Sequence, residues 1–443
     1  MTTIHNAAAV GMVVISCARS SVWAQAAPVV PTRTDSLQLS ALQAAAVAAD
    51  PRARQLGLQA TSTELRLRNI AAEQLPALTG NGQAQLQSAV TKFGAGLPPG
   101  VNIPTPRRDT YDAHIEAQQV LFDASVAPRR AVERAQLVEN QAQVRATLYP
   151  LRQEVSDAFF TALAAQERES LIAAAIHDLE ARLAESARQY QQGAATPADT
   201  ASFAAALLER RQDLSQARAD RSAAIARLAE LVGRPLDDTV PLAVPDLAVP
   251  AAAALRALDQ LRARPEYAEY AATRARLFEQ EAVEAAREKP RFSAFGRLGY
   301  GRPGLNLLST SFQTYWLAGV QAEWTPWTWG TVDRSRQLLE IERELATTNE
   351  AAFTQTLRRS VQQAVATMAR LDTTLALDER IVALRERIEQ TARARLSEGA
   401  ITAADYADRY SELVSARVTR AQHVVELAQT RASFLTTLGV EAP

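Results

Sequence analysis

The sequence predicts a mainly α-helical protein with a small transmembrane β part: long coiled-coil hairpins plus four β-strands per subunit. Three observations carry this. Ala and Leu dominate an apolar fraction of 47%, only 6% of residues are aromatic, and Glu, Arg and Gln are abundant, which is the make-up of long helices. The pattern Gly-x-x-Thr-x-x-Asp is written twice between long helical stretches, at 193–199 and 399–405. Four runs elsewhere alternate small or apolar residues with polar ones, the period of a two-faced strand.

The chain opens with a targeting pattern. Ala7 to Ile15 is a short apolar run, and Ala24-Gln25-Ala26 is a small-x-small cleavage site, so 1–26 reads as a signal peptide. Cys17, the only cysteine, follows Val14-Ile15-Ser16, a lipoprotein-like box. It either carries a lipid or leaves with the signal. A mature chain without it has no disulfide and no thiolate metal site.

The first repeat is placed at 36–233. Helical spacing runs from Ser36, breaks at Asp50-Pro51 and stops before Pro76. Strands are expected at about 77–87 and 110–122, around a turn-rich stretch holding Pro98-Pro99-Gly100. Each is near the length of a membrane-spanning strand. A long helix follows from Pro128 to Gln192, kinked at Pro150. Gly193 stops it, as glycine does just past a helix end. Thr196 with Asp199 is a capping-box start, with Pro197 at the first helical position, where its missing N–H costs nothing. The next helix ends at Gly233.

A proline-rich connector, 234–250, leads to a second repeat at 251–439. It repeats the plan: a helix broken at Arg264-Pro265, strands at about 291–300 and 315–324, and a helix from Thr331 to Glu398 without Pro or Gly. Its Leu357, Val361, Val365, Met368, Leu371 and Leu375 step by fours and threes, a coiled-coil-like seam. The tip at 399–405 and a last helix to Leu438 complete it. Pro51 and Pro76 match Pro265 and Pro290 at one offset (51 to 265), and Leu151, Gly193, Thr196, Asp199 and Gly233 match Leu357, Gly399, Thr402, Asp405 and Gly439 at another (193 to 399). Such a duplication is a fold-level signal. It implies short helices stacked head to tail beside each long one.

Four strands cannot close a barrel, and two-faced strands in a secreted protein need an apolar surrounding and no free edges. Several chains sharing one barrel satisfy both, and three chains supply twelve strands, inside the usual range. Tyr111, Phe122, Tyr300, Tyr315, Trp316, Trp324, Trp327 and Trp329 lie at or near strand ends, as interface girdles do; ordinary hairpin packing is the alternative.

With the duplication, the Asp50-Pro51 and Arg264-Pro265 breaks, the strand exit Val120-Leu121-Phe122-Asp123 and the twin tips in order, the chain resembles the outer-membrane factor (TolC-type) family of efflux and type I secretion channels, over about 36 to 439. The resemblance implies a homotrimer with a twelve-stranded β-barrel in the outer membrane and an α-helical barrel crossing the periplasm of a Gram-negative bacterium. It implies a passive conduit that docks to a periplasmic adaptor (membrane fusion) protein linked to an inner-membrane pump. The adaptor contacts fall on the tips, Gly193, Ala194, Ala195, Thr196, Gly399, Ala400, Ile401 and Thr402. Acids near the tips line the entrance: Asp405 and Asp408 after the second, Asp199 after the first. Around a threefold axis their repulsion raises some pKa values and attracts cations. Capping by Asp199 and Asp405 is compatible with pore lining. Leu396 and Ile401 stand where some members carry polar gate-locking residues.

Other chemistry is thin. The four histidines have no metal-ligand spacing, and His114 falls on the polar strand face. No nucleophile elbow or paired-carboxylate motif appears, so neither enzyme, metal nor cofactor is expected. A formal charge of −1 without a basic stripe argues against nucleic acid. The alternative function is a periplasmic coiled-coil scaffold with no pore, which leaves the alternating strands unexplained. The cargo, the pump class and the gating mechanism are not legible.

Overall fold

A computed structural model describes residues 37–91, 105–256, 262–306 and 309–440. The signal peptide, Cys17 and Pro98-Pro99-Gly100 lie outside the described residues. In the first repeat, α1 (Leu39–Ala49) and α2 (Gln55–Ala72) flank a single 3₁₀ turn, Pro51–Arg54. Then come β1 (Ala77–Leu86), β2 (Asp109–Phe122), α3 (Val126–Leu148), α4 (Leu151–Gln191) and α5 (Pro197–Val232). After the connector are α6 (Ala248–Arg256), α7 (Pro265–Ala286), β3 (Arg291–Arg302), β4 (Gln313–Glu323), α8 (Thr331–Ser397) and α9 (Ala403–Leu438). No helix among the described residues is long and apolar enough to cross a membrane.

The helix breaks occur where the prolines demand them. Asp50 is extended and accepts the Arg52 N–H at 2.8 Å, turning the chain about Pro51. Pro150 cannot donate an N–H, so α3 and α4 part there although its backbone stays helical (φ −58°, ψ −24°). The proline-free α8 runs 67 residues, about 100 Å at the helical rise. Its expected seam is present, with Leu357, Val361 and Leu371 buried and Val365 and Met368 half-buried. The connector is shorter than its prolines suggest. Pro250 lies in the first turn of α6, where a missing N–H is harmless, and the side chain of Asp246 accepts the Ala248 N–H.

The short helices do stack head to tail, and glycine makes both joints. Gly233 ends α5 at φ +71°, and a Cβ there would sit 2.8 Å from the Ala49 Cβ at the end of α1. Gly439 ends α9 at φ +82°, and its Cβ would meet Ala263 and Arg264, just before α7, at 2.8 Å. Across the second joint the Arg264 guanidinium lies 4.5 Å from the Tyr149 ring centroid, and the Tyr149 hydroxyl donates to the Thr436 carbonyl at 2.7 Å. The largest apolar cluster surrounds the first joint. Phe159 and Phe160 of α4 meet edge-on at 5.3 Å among Leu228, Leu247, Phe434 and Leu435. Gln166 clamps the connector onto this cluster by donating to the Leu242 carbonyl and accepting its N–H, both at 2.8 Å.

The strands form one antiparallel sheet in the order β1-β2-β3-β4, with a bulge between Val120 and Phe122. One face carries Leu78, Ile115, Leu298, Trp316 and Val320. These are exposed, Ile115 by 61%, Leu298 by 65% and Trp316 by 75%, although they are apolar. The other face is polar: Asn81, Asp112, His114, Glu116 and Arg297. His114 Nδ1 lies 2.5 Å from Asp112 Oδ2, and Arg297 donates to Glu116 at 2.9 Å. Aromatics gather at the two ends of the apolar face, Tyr300 stacking on Phe312 at 5.4 Å at one and Trp327 against Trp329 at 5.7 Å at the other. Tyr315 departs from the girdle expectation. It lies on the polar face, laid across Gly299, and its hydroxyl donates to Asp112 Oδ1 at 2.5 Å. A side chain at Gly299 would occupy the same space.

Candidate functional site at the twin hairpin tips

Both tips are built by the same two devices. At the first, Gly193 adopts φ +75°, the Ala194 N–H reaches the Gln189 carbonyl at 2.8 Å and the Gly193 N–H reaches Tyr190 at 3.0 Å. This is the left-handed closure that satisfies the last carbonyls of a helix. Gly399 at φ +71° repeats it, with Ala400 bonded to Arg395 at 2.8 Å and Gly399 to Leu396 at 3.0 Å. A reciprocal capping box then starts each returning helix. The Asp199 N–H donates to Thr196 Oγ1 at 3.3 Å, while the Thr196 N–H donates to Asp199 Oδ2 at 2.9 Å. In the second tip, Asp405 N–H to Thr402 Oγ1 is 3.1 Å and Thr402 N–H to Asp405 Oδ2 is 3.1 Å.

The fold brings the two tips together. Gly193 to Thr196, Asp199, Gly399 to Thr402 and Asp405 line one open cleft of about 1240 Å³. Asp199 also spans it: its Oδ1 accepts the Ala403 N–H, the first of α9, at 3.3 Å. Asp405 has no such cross-tip bond among the described residues. Asp408 is exposed, outside the cleft and without a side-chain partner among the described residues. Leu396 and Ile401 pack into the apolar tip cluster with Phe203 and Ala403.

In the single chain the caps govern the tip acids. The Thr196 hydroxyl and N–H, then the Ala403 N–H, hold the Asp199 carboxyl below the usual carboxylate range. The Thr402 hydroxyl and N–H, then Arg409, do the same for Asp405. A depressed folded pKa means the stabilisation is full above about pH 4 and lost as pH falls through the lowered value. Amide protection at Asp199, Ala403 and Asp405, measured against the intrinsic exchange rate at each pH, is therefore expected to be high at pH 5 and to fall towards pH 3. Equal protection at both pH values would show that the carboxylates do not hold the tips.

One turn and two turns beyond the tip, α9 carries a polar and aromatic network that the sequence reading passed over. The buried Tyr406 hydroxyl donates to Glu389 Oε1 at 2.7 Å, and Arg393 donates to the same oxygen at 2.8 Å. The Tyr410 hydroxyl reaches across to α4 and donates to Asp178 Oδ2 at 2.8 Å. The two rings stack at 6.2 Å, and the Arg182 guanidinium lies 5.6 Å from the Tyr406 centroid. Burial and the bond to Glu389 push the Tyr406 phenol up to about 12; burial and Asp178 raise Tyr410 as well. The signal was available. Tyr406 and Tyr410 are four apart, on one helix face, and the first repeat has Thr200 and Ala204 at the matching positions. Farther along the same helix pair, His423 Nδ1 lies 2.6 Å from the buried Asp378. No group of three or more metal-ligating side chains occurs among the described residues.

Comparison with known proteins fits this geometry. Residues 43–234, most of the first repeat, match the family described as outer membrane efflux protein. The structure is similar to that of CusC, with a TM-score of 0.66, 18% identity and coverage of 92% of this chain and 93% of that one. It is similar to the outer membrane protein VceC from Vibrio cholerae, with a TM-score of 0.63, 14% identity and coverage of 92% and 97%. The open state of the Neisseria gonorrhoeae MtrE outer membrane channel gives a TM-score of 0.63, 18% identity and coverage of 91% and 89%. At these identities the likeness establishes the fold. No curated protein matches the chain in sequence.

Proposed function

We infer that this chain is an outer-membrane efflux protein, the family its first repeat matches, and that it works as one subunit of a trimeric passive conduit. It resides in the outer membrane and extends into the periplasm. The observation that carries the trimer is an empty seat. Within the chain, the long helix pair α3–α4 of the first repeat packs on α7 and α9 of the second. The duplication calls for the converse contact, α8 on α2 and α5, and no comparable packing joins them. Instead α8 exposes Leu338, Ile341, Leu345, Leu377 and Leu384, while α2 exposes Leu58 and Leu65 and α5 exposes Leu208. A second copy offers α2 and α5 to that face.

The sheet supports the same reading. Its edge strands β1 and β4 have no outer partner among the described residues, and they are antiparallel to each other through the three pairings. β4 of one copy can therefore pair with β1 of the next, and three copies close twelve strands. The exposed apolar face then meets outer-membrane lipid and the polar face lines the lumen. The scaffold alternative offers that apolar face nothing to bury against. On this reading, material extracted in mild detergent runs at three times the chain mass and forms channels in planar bilayers. A water-soluble monomer recovered without detergent overturns it.

The twin tips then form the periplasmic mouth, where an adaptor protein linked to an inner-membrane pump docks on Gly193 to Thr196 and Gly399 to Thr402. Asp405 and Asp408 line the entrance; Asp405 keeps one carboxylate oxygen on its Thr402 cap and the other turned outward, whereas Asp199 uses both, one on its cap and one on Ala403. Replacing Asp405 and Asp408 with Ala is expected to weaken block by divalent cations in planar bilayers at least tenfold. Unaltered block removes both from the pore.

A further inference from the structure

The apolar face of the sheet ends, away from the helices, in a charged group. By register, Asp109, Tyr111 and Arg302 stand on the same face as Ile115, Leu298 and Trp316, and Asp109 and Arg302 are the only charged side chains on that face of the four strands. The Arg302 guanidinium lies 5.2 Å from the Tyr111 ring centroid and 4.9 Å from that of Phe312, and it donates to Asp109 Oδ2. The Arg107 Nε donates to the other oxygen of the same carboxylate at 3.0 Å. Two cations therefore share one anion, and positive charge is left over. The Arg302 side chain is largely buried, yet its Nε has no hydrogen-bond partner among the described residues. The Arg107 side chain is 54% exposed, and among the described residues only its Nε has a protein partner. Arg107, Asp109, Arg302, Thr91 and Ser309 line a recess of about 220 Å³ beside the strand ends. Towards the helices the face is smooth next to this group. Ala84, Gly82 and Gly80 follow one another down β1, with Ala113 beside Gly82, and nothing lies within 4 Å of a Cβ built on either glycine.

We propose that this rim holds one phosphorylated lipid of the outer leaflet per copy, its phosphate in the recess against Arg107 and Arg302 and an acyl chain along Ala84, Gly82 and Gly80. The inference rests on the reading above that the apolar face meets lipid. A guanidinium on a lipid-facing surface costs least near the membrane interface, which is where Arg302 stands at the end of β3. The Tyr111 and Phe312 rings hold it there through their faces, and Asp109 balances only one of the two guanidiniums. The planar fork of arginine matches phosphate oxygens, so a phosphate monoester supplies the missing negative charge and the missing acceptors together. The adjoining floor selects the source of that phosphate. A free ion uses the cations alone, whereas an acylated phosphate also covers the apolar strip that starts beside them.

The test titrates lipid A, a diphosphorylated acylated glycolipid, into the full-length protein in mild detergent and counts bound lipid by native mass spectrometry. Lipid A is expected to bind at least tenfold tighter than its dephosphorylated form. Arg302→Gln and Arg107→Gln are each expected to weaken it about tenfold, the loss of a charge-assisted hydrogen bond. Arg297→Gln removes a cation from the polar face of the same sheet and is expected to leave binding within twofold. Arg107 lies before β2 and is exposed, so its variant keeps the test open if Arg302→Gln fails to fold. Equal binding of the two lipid forms, or unchanged binding in Arg107→Gln, overturns the site. If inorganic phosphate binds as tightly as lipid A, the lipid assignment is overturned. A separate measurement reads the underlying premise: brominated phosphatidylcholine vesicles are expected to quench tryptophan emission, and less so in Trp316→Phe. If Trp316 contributes no quenching, the lipid-facing sheet falls and this site with it. Quenching at Trp316 without preference for lipid A overturns the site alone.

Discussion

Leu298→Arg is expected to abolish assembly of the folded protein in the membrane, whereas Gln83→Arg is expected to be tolerated. Both add the same side chain to the same sheet. Leu298 pairs with Ile115 and Trp316 on the exposed apolar face, near the middle of β3. In the proposed barrel that face meets lipid, where an arginine at the bilayer midplane costs roughly 2–4 kcal/mol per copy, and the proposed ring of three carries it three times. Gln83 pairs with Asp112 on the polar face, where a new cation finds a carboxylate and water. Heat-modifiable migration of the outer-membrane fraction reads the difference. If the two variants assemble equally, the apolar face does not meet lipid, and the conduit loses its main support.

Gly439→Ala is expected to destabilise the chain much more than Gly399→Ala. Both glycines are left-handed, at φ +82° and +71°, so alanine pays a similar backbone cost at each, about 1–2 kcal/mol. Around Gly399 there is nothing within 4 Å of the new Cβ. At Gly439 that Cβ meets backbone atoms of Ala263 and Arg264 at 2.8 Å, and the α9–α7 joint must open to admit it. Overpacking against backbone adds about 1–3 kcal/mol. Thermal unfolding of the two variants in detergent isolates this term. Equal losses would mean that the joint is not closely packed.

The parts that were legible in the sequence are those fixed by short-range rules. Strand alternation placed β1 to β4 within two residues at every end, because a half-buried strand must keep period two. The twin tips were legible because Gly, Thr and Asp at fixed spacing each satisfy a backbone group that the helix itself leaves open. Tyr315 shows the limit. Its alternation with Trp316 was plain, but that it lies flat over Gly299 and ends on Asp112, two strands away, needed the sheet register. The Tyr410–Asp178 bond joins residues 232 apart in sequence, and no local pattern announces it.

The sequence by itself determined the duplicated plan, the helix breaks, the two-faced strands and the capped tips, since each follows from backbone geometry within a few residues. The tertiary structure alone decided which long helix is seated and which is bare, why Gly233 and Gly439 are glycines at the joints, and how Asp199 differs from Asp405. The reason is that two repeats built to one plan share the local signals that set their helices, strands and tips. What distinguishes them is the neighbour each one faces, and a neighbour hundreds of residues away is chosen by packing.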